Sequence, residues 1–250
     1  MIISMKTIQL ESLNKDTLYI LSVSNIQIKD FYSKLIKTVC DYISGKDDLD
    51  NNVYVQHTAL LVYHDIKLQW YIVEVGYSGL ERKIIEFTNE KKFYLSEIGT
   101  ITSQEKKYIF GKYHKKPLQN KWLKKFYSIT SVLIGWPYPF LTAVASVELP
   151  VNFKVFGYIL NYIVDLIRDI QLFFWESIMK VKIIPYCTHS ALETINEINT
   201  LRKQLRQDLL LLSQDFYKLL ASQDNKYYEI YPQQIIDTMD YQELVDKNIC

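Results

Sequence analysis

The chain has 250 residues, of which 48% are hydrophobic and 23% charged, and its formal net charge is +1. This balance excludes wholesale disorder, because disordered chains are poor in apolar residues and rich in net charge. A net charge near zero also gives no overall electrostatic attraction to nucleic acid or to an anionic membrane.

The first half of the chain predicts strands and one helix. Residues 18–24 form an apolar run typical of a buried strand, and residues 30–43 carry apolar side chains at helical spacing. Residues 53–63 and 68–76 then predict a β-hairpin with a four-residue loop, and a further strand is expected at residues 83–87. The opening ten residues are too short and insufficiently apolar for a signal peptide, so we expect a reduced, cytoplasmic setting.

The middle of the chain is basic and then apolar. Residues 103–125 predict a lysine-rich helix, and residues 128–147 follow without a single charge. Their length would suit a membrane span. However, Pro137 and Pro139 interrupt them, and proline removes a backbone donor and clashes with the preceding turn. We therefore expect two buried segments here and no membrane span.

The last part of the chain is predicted to be helical. Residues 155–179 predict a largely buried helix, and residues 188–220 predict one continuous helix with a leucine-rich seam. We expect this seam to pack within the chain, with a partner helix as the alternative. Residues 227–244 are expected to be irregular. The prediction is an α+β fold in a single domain over residues 1–250, with a small antiparallel sheet, a helical insert at residues 100–180 and a long C-terminal helix.

The predicted hairpin places a histidine and a carboxylate on one apolar face. Side chains alternate along a strand, and His57 and Glu74 each share their parity with the apolar residues of their strand. If Tyr63 pairs with Leu68, His57 falls directly opposite Glu74, within hydrogen-bonding reach. Such a carboxylate can orient an imidazole as a catalytic base. The alternative is a buried pair that only stabilises the sheet.

Cys187 is the candidate nucleophile. It follows Pro185 and begins a predicted helix, where unpaired N–H groups and the helix dipole favour a thiolate. Cys40 lies inside an amphipathic pattern and Cys250 is the last residue, so neither is placed for activation. Three widely spaced cysteines also form neither a disulfide framework nor a metal-binding pattern. The alternative for Cys187 is an inert, buried thiol.

The remaining histidines are weaker candidates for the base. His189 lies two residues after Cys187, which is about 200° around a helix, and therefore faces away from it. His64 is expected in the hairpin loop and His114 in the lysine-rich stretch, and both are expected to be solvated. His57 is therefore the preferred base.

Three short motifs resemble the circularly permuted papain-like amidases of the NlpC type, the YiiX/YaeF-like group. They are Gln56-His57-Thr58-Ala59, Ile72-Val73-Glu74-Val75 and Tyr186-Cys187-Thr188, in that order along the chain. Softer matches at residues 18–23 with the helix after them, at Gly135-Trp136-Pro137-Tyr138 and at residues 231–235 extend the resemblance over roughly residues 17–245. The sequence departs from the family in lacking a glycine-aspartate pair in the opening strand.

The resemblance implies a permuted papain-like fold and a cysteine hydrolase with Cys187, His57 and Glu74 as its catalytic residues. Tyr138 and Tyr186 are further candidates for lining the site, with core packing as the alternative. The implied substrates are peptide or peptidoglycan amides, or acyl lipids as in the related lecithin:retinol acyltransferase. The expected site has no cofactor and no metal.

Two other function classes stay open at this stage. The first is a non-catalytic structural or virion-associated protein, in keeping with a composition rich in Ile, Lys, Asn and Tyr that suggests a phage or other viral source. The second is a membrane-surface acyltransferase or thioesterase, in which the lysines from Lys106 to Lys125 contact an anionic surface. Nucleic-acid binding is disfavoured, because the segment has no arginine enrichment and no recognisable module.

Overall fold

The computed structural model describes residues 6–25, 55, 57–76, 79–113, 187–222, 230 and 232–246. In them, seven strands form one sheet: β1 (Thr7–Gln9), β2 (Thr17–Asn25), β3 (His57–His64), β4 (Gln69–Gly76), β5 (Gly79–Ile84), β6 (Lys91–Thr100) and β7 (Gln242–Val245). The α-helices of these residues are α1 (Ser103–Lys112), α2 (Cys187–Leu205), α3 (Gln214–Ser222) and α4 (Pro232–Thr238). A short 3-10 helix spans Leu10–Ser12. The α+β class is therefore confirmed.

The sheet is larger than predicted. Its strand order is β1-β7-β6-β2-β3-β4-β5, and β1 pairs with β7 in parallel while the other neighbours are antiparallel. The predicted strands at residues 18–24, 53–63 and 68–76 correspond to β2, β3 and β4. The strand expected at residues 83–87 is wrong in its bounds, because β5 ends at Ile84. Strand β6 is absent from the elements predicted from the sequence.

Several predictions fall on residues that are not described. The predicted helices at residues 30–43 and 155–179 lie outside the described residues, as does most of the predicted insert at residues 100–180. The apolar segment at residues 128–147 also lies outside them. Within the described part of the chain, no helix is long and apolar enough to cross a membrane. The single-domain organisation stays a prediction.

Both faces of β2 are covered, which explains its continuous apolar run. Leu18 and Ile20 face one core, into which α2 packs, whereas Tyr19 and Leu21 face a second core on the other side of the sheet. The residues that α2 contributes recur at helical spacing: Ala191, Leu192, Ile195 and Ile198. Helix α2 lies against β3 and β4. This packing brings the beginning of α2 to the strands that carry His57 and Glu74.

The predicted hairpin register is wrong by two residues. Tyr63 pairs with Trp70, not with Leu68. The cause is the backbone of Leu68, which has a φ of 52° and therefore belongs to the turn, where its N–H donates to the carbonyl of His64 at 2.8 Å. Because the shift is an even number of residues, His57 and Glu74 keep the same face of the sheet.

Helix α1 is held in place by charged residues. Thr102 and Glu105 form a capping box at its start. Lys106 is 2% exposed, and its ammonium contacts Asp16 at 2.9 Å and Asp65 at 2.7 Å. Lys112 contacts Glu197 of α2 at 2.5 Å. Two lysines of the basic segment are thus used in ion pairs within the chain, and residues 114–125 lie outside the described residues.

The continuous helix predicted for residues 188–220 is also wrong. Helix α2 ends at Leu205, and Arg206 follows with a φ of 55°. The N–H of Arg206 donates to the carbonyl of Lys203 at 3.2 Å, and that of Gln207 donates to the carbonyl of Arg202 at 2.9 Å. These two bonds form a Schellman motif with arginine in the place of the usual glycine. The leucine seam is therefore split between α2, a connection and α3: Leu205, Leu209, Leu212, Phe216 and Leu219.

The expectation of irregular structure at residues 227–244 is wrong for its described part, which contains a helix at Pro232–Thr238 and a strand at Gln242–Val245. Helix α4 begins with Pro232, which suits the first helical position because its missing N–H has no partner there. Strand β7 then inserts between β1 and β6. Its pairing of Glu243 with Thr7 joins distant parts of the chain, which local sequence patterns do not reveal.

Candidate active site

Three elements of the fold converge on one group of side chains. His57 is the first residue of β3, Glu74 lies in β4, and Cys187 is the first residue of α2. Glu74 is 6% exposed and Cys187 is 4% exposed, whereas the His57 side chain keeps 28% of its surface exposed. The predicted trio is therefore assembled at a position where the imidazole reaches solvent.

His57 and Glu74 are hydrogen-bonded across the hairpin. Nε2 of His57 lies 2.8 Å from Oε2 of Glu74. The ladder ends with Leu60 opposite Val73, and the same register continued by one residue places Ala59 opposite Glu74 and His57 diagonal to it. Diagonal neighbours on one face are within reach of long side chains. The predicted contact is present, by a different register from the one that predicted it.

Lys83 binds the other oxygen of Glu74. Its ammonium contacts Oε1 of Glu74, while its own side chain is 49% exposed. Lys83 is absent from the site residues predicted from the sequence. The sequence does carry a signal for it: the glycines at positions 76 and 79 favour a tight turn, which predicts an antiparallel strand containing Lys83 beside β4. In the observed register Lys83 lies opposite Ile72, on the same face as Glu74.

Cys187 reaches the hairpin where two strands part. The β3–β4 ladder begins at Leu60 paired with Val73, and Thr58 lies two residues beyond its end. The backbone N–H of Thr58 hydrogen-bonds the Cys187 sulfur, and the Thr188 hydroxyl donates to the Thr58 hydroxyl at 3.3 Å. These contacts hold the first residues of α2 against the first residues of β3.

The Cys187 thiol and the His57 ring are hydrogen-bonding partners. Since Nε2 of His57 is bonded to Glu74, Nδ1 is the nitrogen that remains for the sulfur. The ring is thus held from both sides, by a carboxylate and by a thiol. A nucleophile, a base and a group that orients the base are the parts that covalent catalysis requires.

The electrostatics of the group favour a charged pair. Burial opposes charge on His57, but the nearby Cys187 and the bond to Glu74 raise its pKa to about 10. Burial likewise opposes the Cys187 thiolate, but the adjacent imidazolium and the Thr58 N–H lower the pKa of the thiol. Glu74 is held ionised, because His57 and Lys83 outweigh its burial and lower its pKa to about 2. Both shifts favour a thiolate beside an imidazolium over the neutral thiol–imidazole pair.

The other candidate residues lie elsewhere or outside the described residues. His64 is the last residue of β3, not part of the loop, and it is half-buried, with its ring centroid 4.6 Å from that of Phe110. His189 lies in α2, half-buried. The residues that are not described include four candidates: Cys40, His114, Tyr138 and Tyr186, together with Cys250 at the end of the chain.

A cavity of about 330 Å³ lies at the other end of the hairpin, between the turn and α1. It is lined by His64, Asp65, Ile66, Arg82 and Phe110, among others, and by none of the trio. This cavity is separate from the thiol–imidazole pair, since His64 is seven residues along β3 from His57.

Comparison of this chain with protein families, with curated proteins and with solved structures finds no match.

Proposed function

We propose that this chain is a cysteine hydrolase or acyltransferase that attacks an amide or ester carbonyl through Cys187. The observation that carries the proposal is the continuous chain of contacts from the Cys187 thiol through the His57 ring to Glu74. A buried histidine–carboxylate pair alone would also fit a purely structural role. The thiol on the second side of the ring, at the beginning of a helix, is what favours catalysis over structure.

The reaction would proceed in two steps that return every group to its starting form. The Cys187 thiolate forms a carbon–sulfur bond to the carbonyl carbon, and the leaving amine or alkoxide departs with the proton of His57. Water, or an acceptor hydroxyl or amine, then gives its proton to His57 and attacks the thioester. The carbon–sulfur bond breaks, and Cys187 leaves as the thiolate. Throughout, Glu74 fixes the ring and stabilises its positive charge.

The beginning of α2 would also stabilise the negative oxygen of the intermediate. The first backbone N–H groups of an α-helix have no partner within the helix, and they point to the positive end of its dipole. A carbonyl carbon bonded to the Cys187 sulfur would place its oxygen near these groups.

The order of the three residues supports the permuted papain-like assignment within this proposal. Histidine on a strand comes first, the carboxylate follows on the next strand, and the cysteine begins a later helix that packs on both. In the same proposal the substrates are peptide or peptidoglycan amides, with acyl lipids as the second class. The half-exposed Lys83 and the exposed part of His57 mark the side from which such a substrate would enter.

Trapping of the acyl-enzyme tests the function. The purified chain is mixed with a p-nitrophenyl ester, and the modified peptide is located by mass spectrometry. We expect one acyl group on Cys187 in the native chain and none in Cys187→Ser. We also expect the rate of acylation to fall by roughly a hundredfold in His57→Ala, because a positioned acid–base group typically contributes that much and the variant also loses the imidazolium that favours the thiolate. Acylation at Cys40 or Cys250 instead, or an unchanged rate in His57→Ala, would contradict the proposal.

A further inference from the structure

Glu74 is bound on both of its oxygens, and the second contact is not needed to orient the base. Oε2 accepts from His57 at 2.8 Å, and Oε1 accepts from the Lys83 ammonium. Glu74 is buried, while Lys83 is half-exposed at the end of a strand. One hydrogen bond would suffice to fix the ring, so the second cation calls for a separate explanation.

A strongly held imidazolium is a good partner for a thiolate but a poor proton donor. General acid–base catalysis works best when the pKa of the group lies near the working pH. In this site the Cys187 thiolate and the Glu74 carboxylate both stabilise the imidazolium, and together they raise the pKa of His57 to about 10. A second cation bound to the Glu74 carboxylate destabilises the positive charge on the ring, because the two like charges lie close together and repel. The pKa of His57 is then lower than with Glu74 alone.

We propose that Lys83 is a positioning and tuning residue of the site: through Glu74, it limits how strongly His57 holds its proton, and so keeps the ring able to protonate the leaving group. This inference rests on the proposed function, since it concerns the same Cys187–His57 pair. Lys83 itself acts through the carboxylate, and its role is distinct from that of the catalytic residues.

The charged groups around Glu74 are few within the described residues. From β3 it meets His57, and from β5 it meets Lys83 and also Glu81, which lies directly opposite it in the register. From α2, Cys187 acts on the same His57 ring. Removal of Lys83 would leave the charge of Glu74, and the neighbouring Glu81, to act on the imidazolium alone.

The test follows both members of the pair against pH in the full-length chain. The NMR shift of the labelled His57 ring, assigned by comparison with His57→Ala, reports the imidazolium, and the rate of Cys187 alkylation by iodoacetamide reports the thiolate. In Lys83→Met we expect the imidazolium midpoint to rise by roughly half a unit to one unit, as expected for a partly screened charge close to the ring. The thiolate midpoint should rise by less, because the sulfur is farther from Lys83.

Two further variants separate charge from structure. Lys83→Arg keeps the positive charge, so both midpoints should match those of the native chain. Lys92→Met is the matched control, because Lys92 is 48% exposed, as Lys83 is 49% exposed, but its carboxylate partner is Glu243 on β7 and not Glu74. It should leave both midpoints unchanged.

The possible outcomes distinguish the two proposals. If Cys187 of the native chain is alkylated no faster than an ordinary thiol, the proposed function fails, and the role of Lys83 fails with it. If native Cys187 is activated but Lys83→Met leaves the imidazolium midpoint in place or lowers it, the function stands and the role of Lys83 is overturned. If Lys83→Arg shifts the imidazolium midpoint as much as Lys83→Met does, the role of Lys83 is also overturned, since the effect would not depend on its charge.

Discussion

Two buried charges in the described part of the chain are held in opposite ways. The Glu74 side chain is 7% exposed and lies between two cations, His57 and Lys83. The Lys106 side chain is 3% exposed and lies between two anions, Asp16 and Asp65. In both groups the buried residue has lost its hydration, and the attraction to two partially exposed, oppositely charged partners offsets this cost.

The two groups differ in what lies beyond the charges. The Lys106 group joins α1 to the hairpin turn and to the loop before β2, and both of its partners are aspartates. The Glu74 group includes an imidazole whose second nitrogen faces a thiol. A buried ion pair by itself therefore indicates only structure. A nucleophile on the far side of a titratable partner is what distinguishes a candidate site.

The largest effect is expected where both partners of Lys106 are neutralised. In the double variant Asp16→Asn, Asp65→Asn, the buried ammonium keeps two amide oxygens but no opposite charge. We expect the free energy of unfolding to fall by about 3 kcal/mol, as is typical when a buried charge loses its compensation. Urea unfolding measures it.

The matched control is the exposed pair of Asp215 and Lys218, whose side chains are 71% and 75% exposed. Asp215→Asn should change the free energy of unfolding by less than about 0.5 kcal/mol. In the Lys106 double variant, the rate of Cys187 alkylation by the folded protein should stay at the native value. A large loss of that rate would show that the Lys106 group and the Glu74 group are coupled.

The next effect concerns the reactivity of Cys187 at pH 6. An ordinary thiol is almost fully protonated there, whereas a thiol paired with an imidazolium is largely ionised. His57→Ala should therefore slow alkylation of Cys187 by iodoacetamide by roughly a hundredfold. The measurement is the rate of modification of the Cys187 peptide.

His64 provides the control, because it is a half-buried histidine on the same strand with its ring against Phe110. His64→Ala should leave the alkylation rate within about twofold of native, since His64 is not a partner of the thiol. Equal rates in His57→Ala and His64→Ala would mean that the imidazole does not activate Cys187, and the Glu74 group would then be structural like that of Lys106.

The hairpin shows how far sequence alone could go. Strand parity placed His57 and Glu74 on one face, and this survived a register error because the error was an even number of residues. The register itself depended on Leu68 adopting a left-handed backbone, which is uncommon for leucine and carries no sequence signal. Face assignments follow from local alternation, whereas register depends on the turn.

The other errors have similar causes. Arg206 follows α2 in a left-handed conformation that usually belongs to glycine. The sequence carries no glycine there, so the predicted helix continued through α3. Strand β7 is only four residues long and is defined by partners at the other end of the chain. Local patterns carry neither a non-glycine helix end nor a long-range pairing. The helical pattern after Cys187 was predicted correctly as far as Leu205, because its apolar residues recur at helical spacing.

The smallest effect concerns stability at acid pH. Because the folded chain lowers the pKa of Glu74 to about 2, and an unfolded glutamate titrates near 4.5, the folded state binds the Glu74 proton less readily. The stabilisation by this group is thus fully present above pH 4.5 and is lost as the pH falls toward 2. At pH 7 Glu74→Gln should lower the free energy of unfolding by about 2 kcal/mol.

The decisive measurement is the difference in the free energy of unfolding between the native chain and Glu74→Gln, followed across this pH range. Urea unfolding should show a constant difference from pH 7 to pH 5, then a difference that narrows steadily toward pH 2. Other carboxylates titrate in the same window, but they are shared by both proteins and cancel in the difference. A difference that stayed constant down to pH 2 would mean that Glu74 is not held ionised by His57 and Lys83. Glu74 and Lys106 would then be alike only in lying between two partners. The Glu74 carboxylate could not stabilise the imidazolium that the thiolate needs.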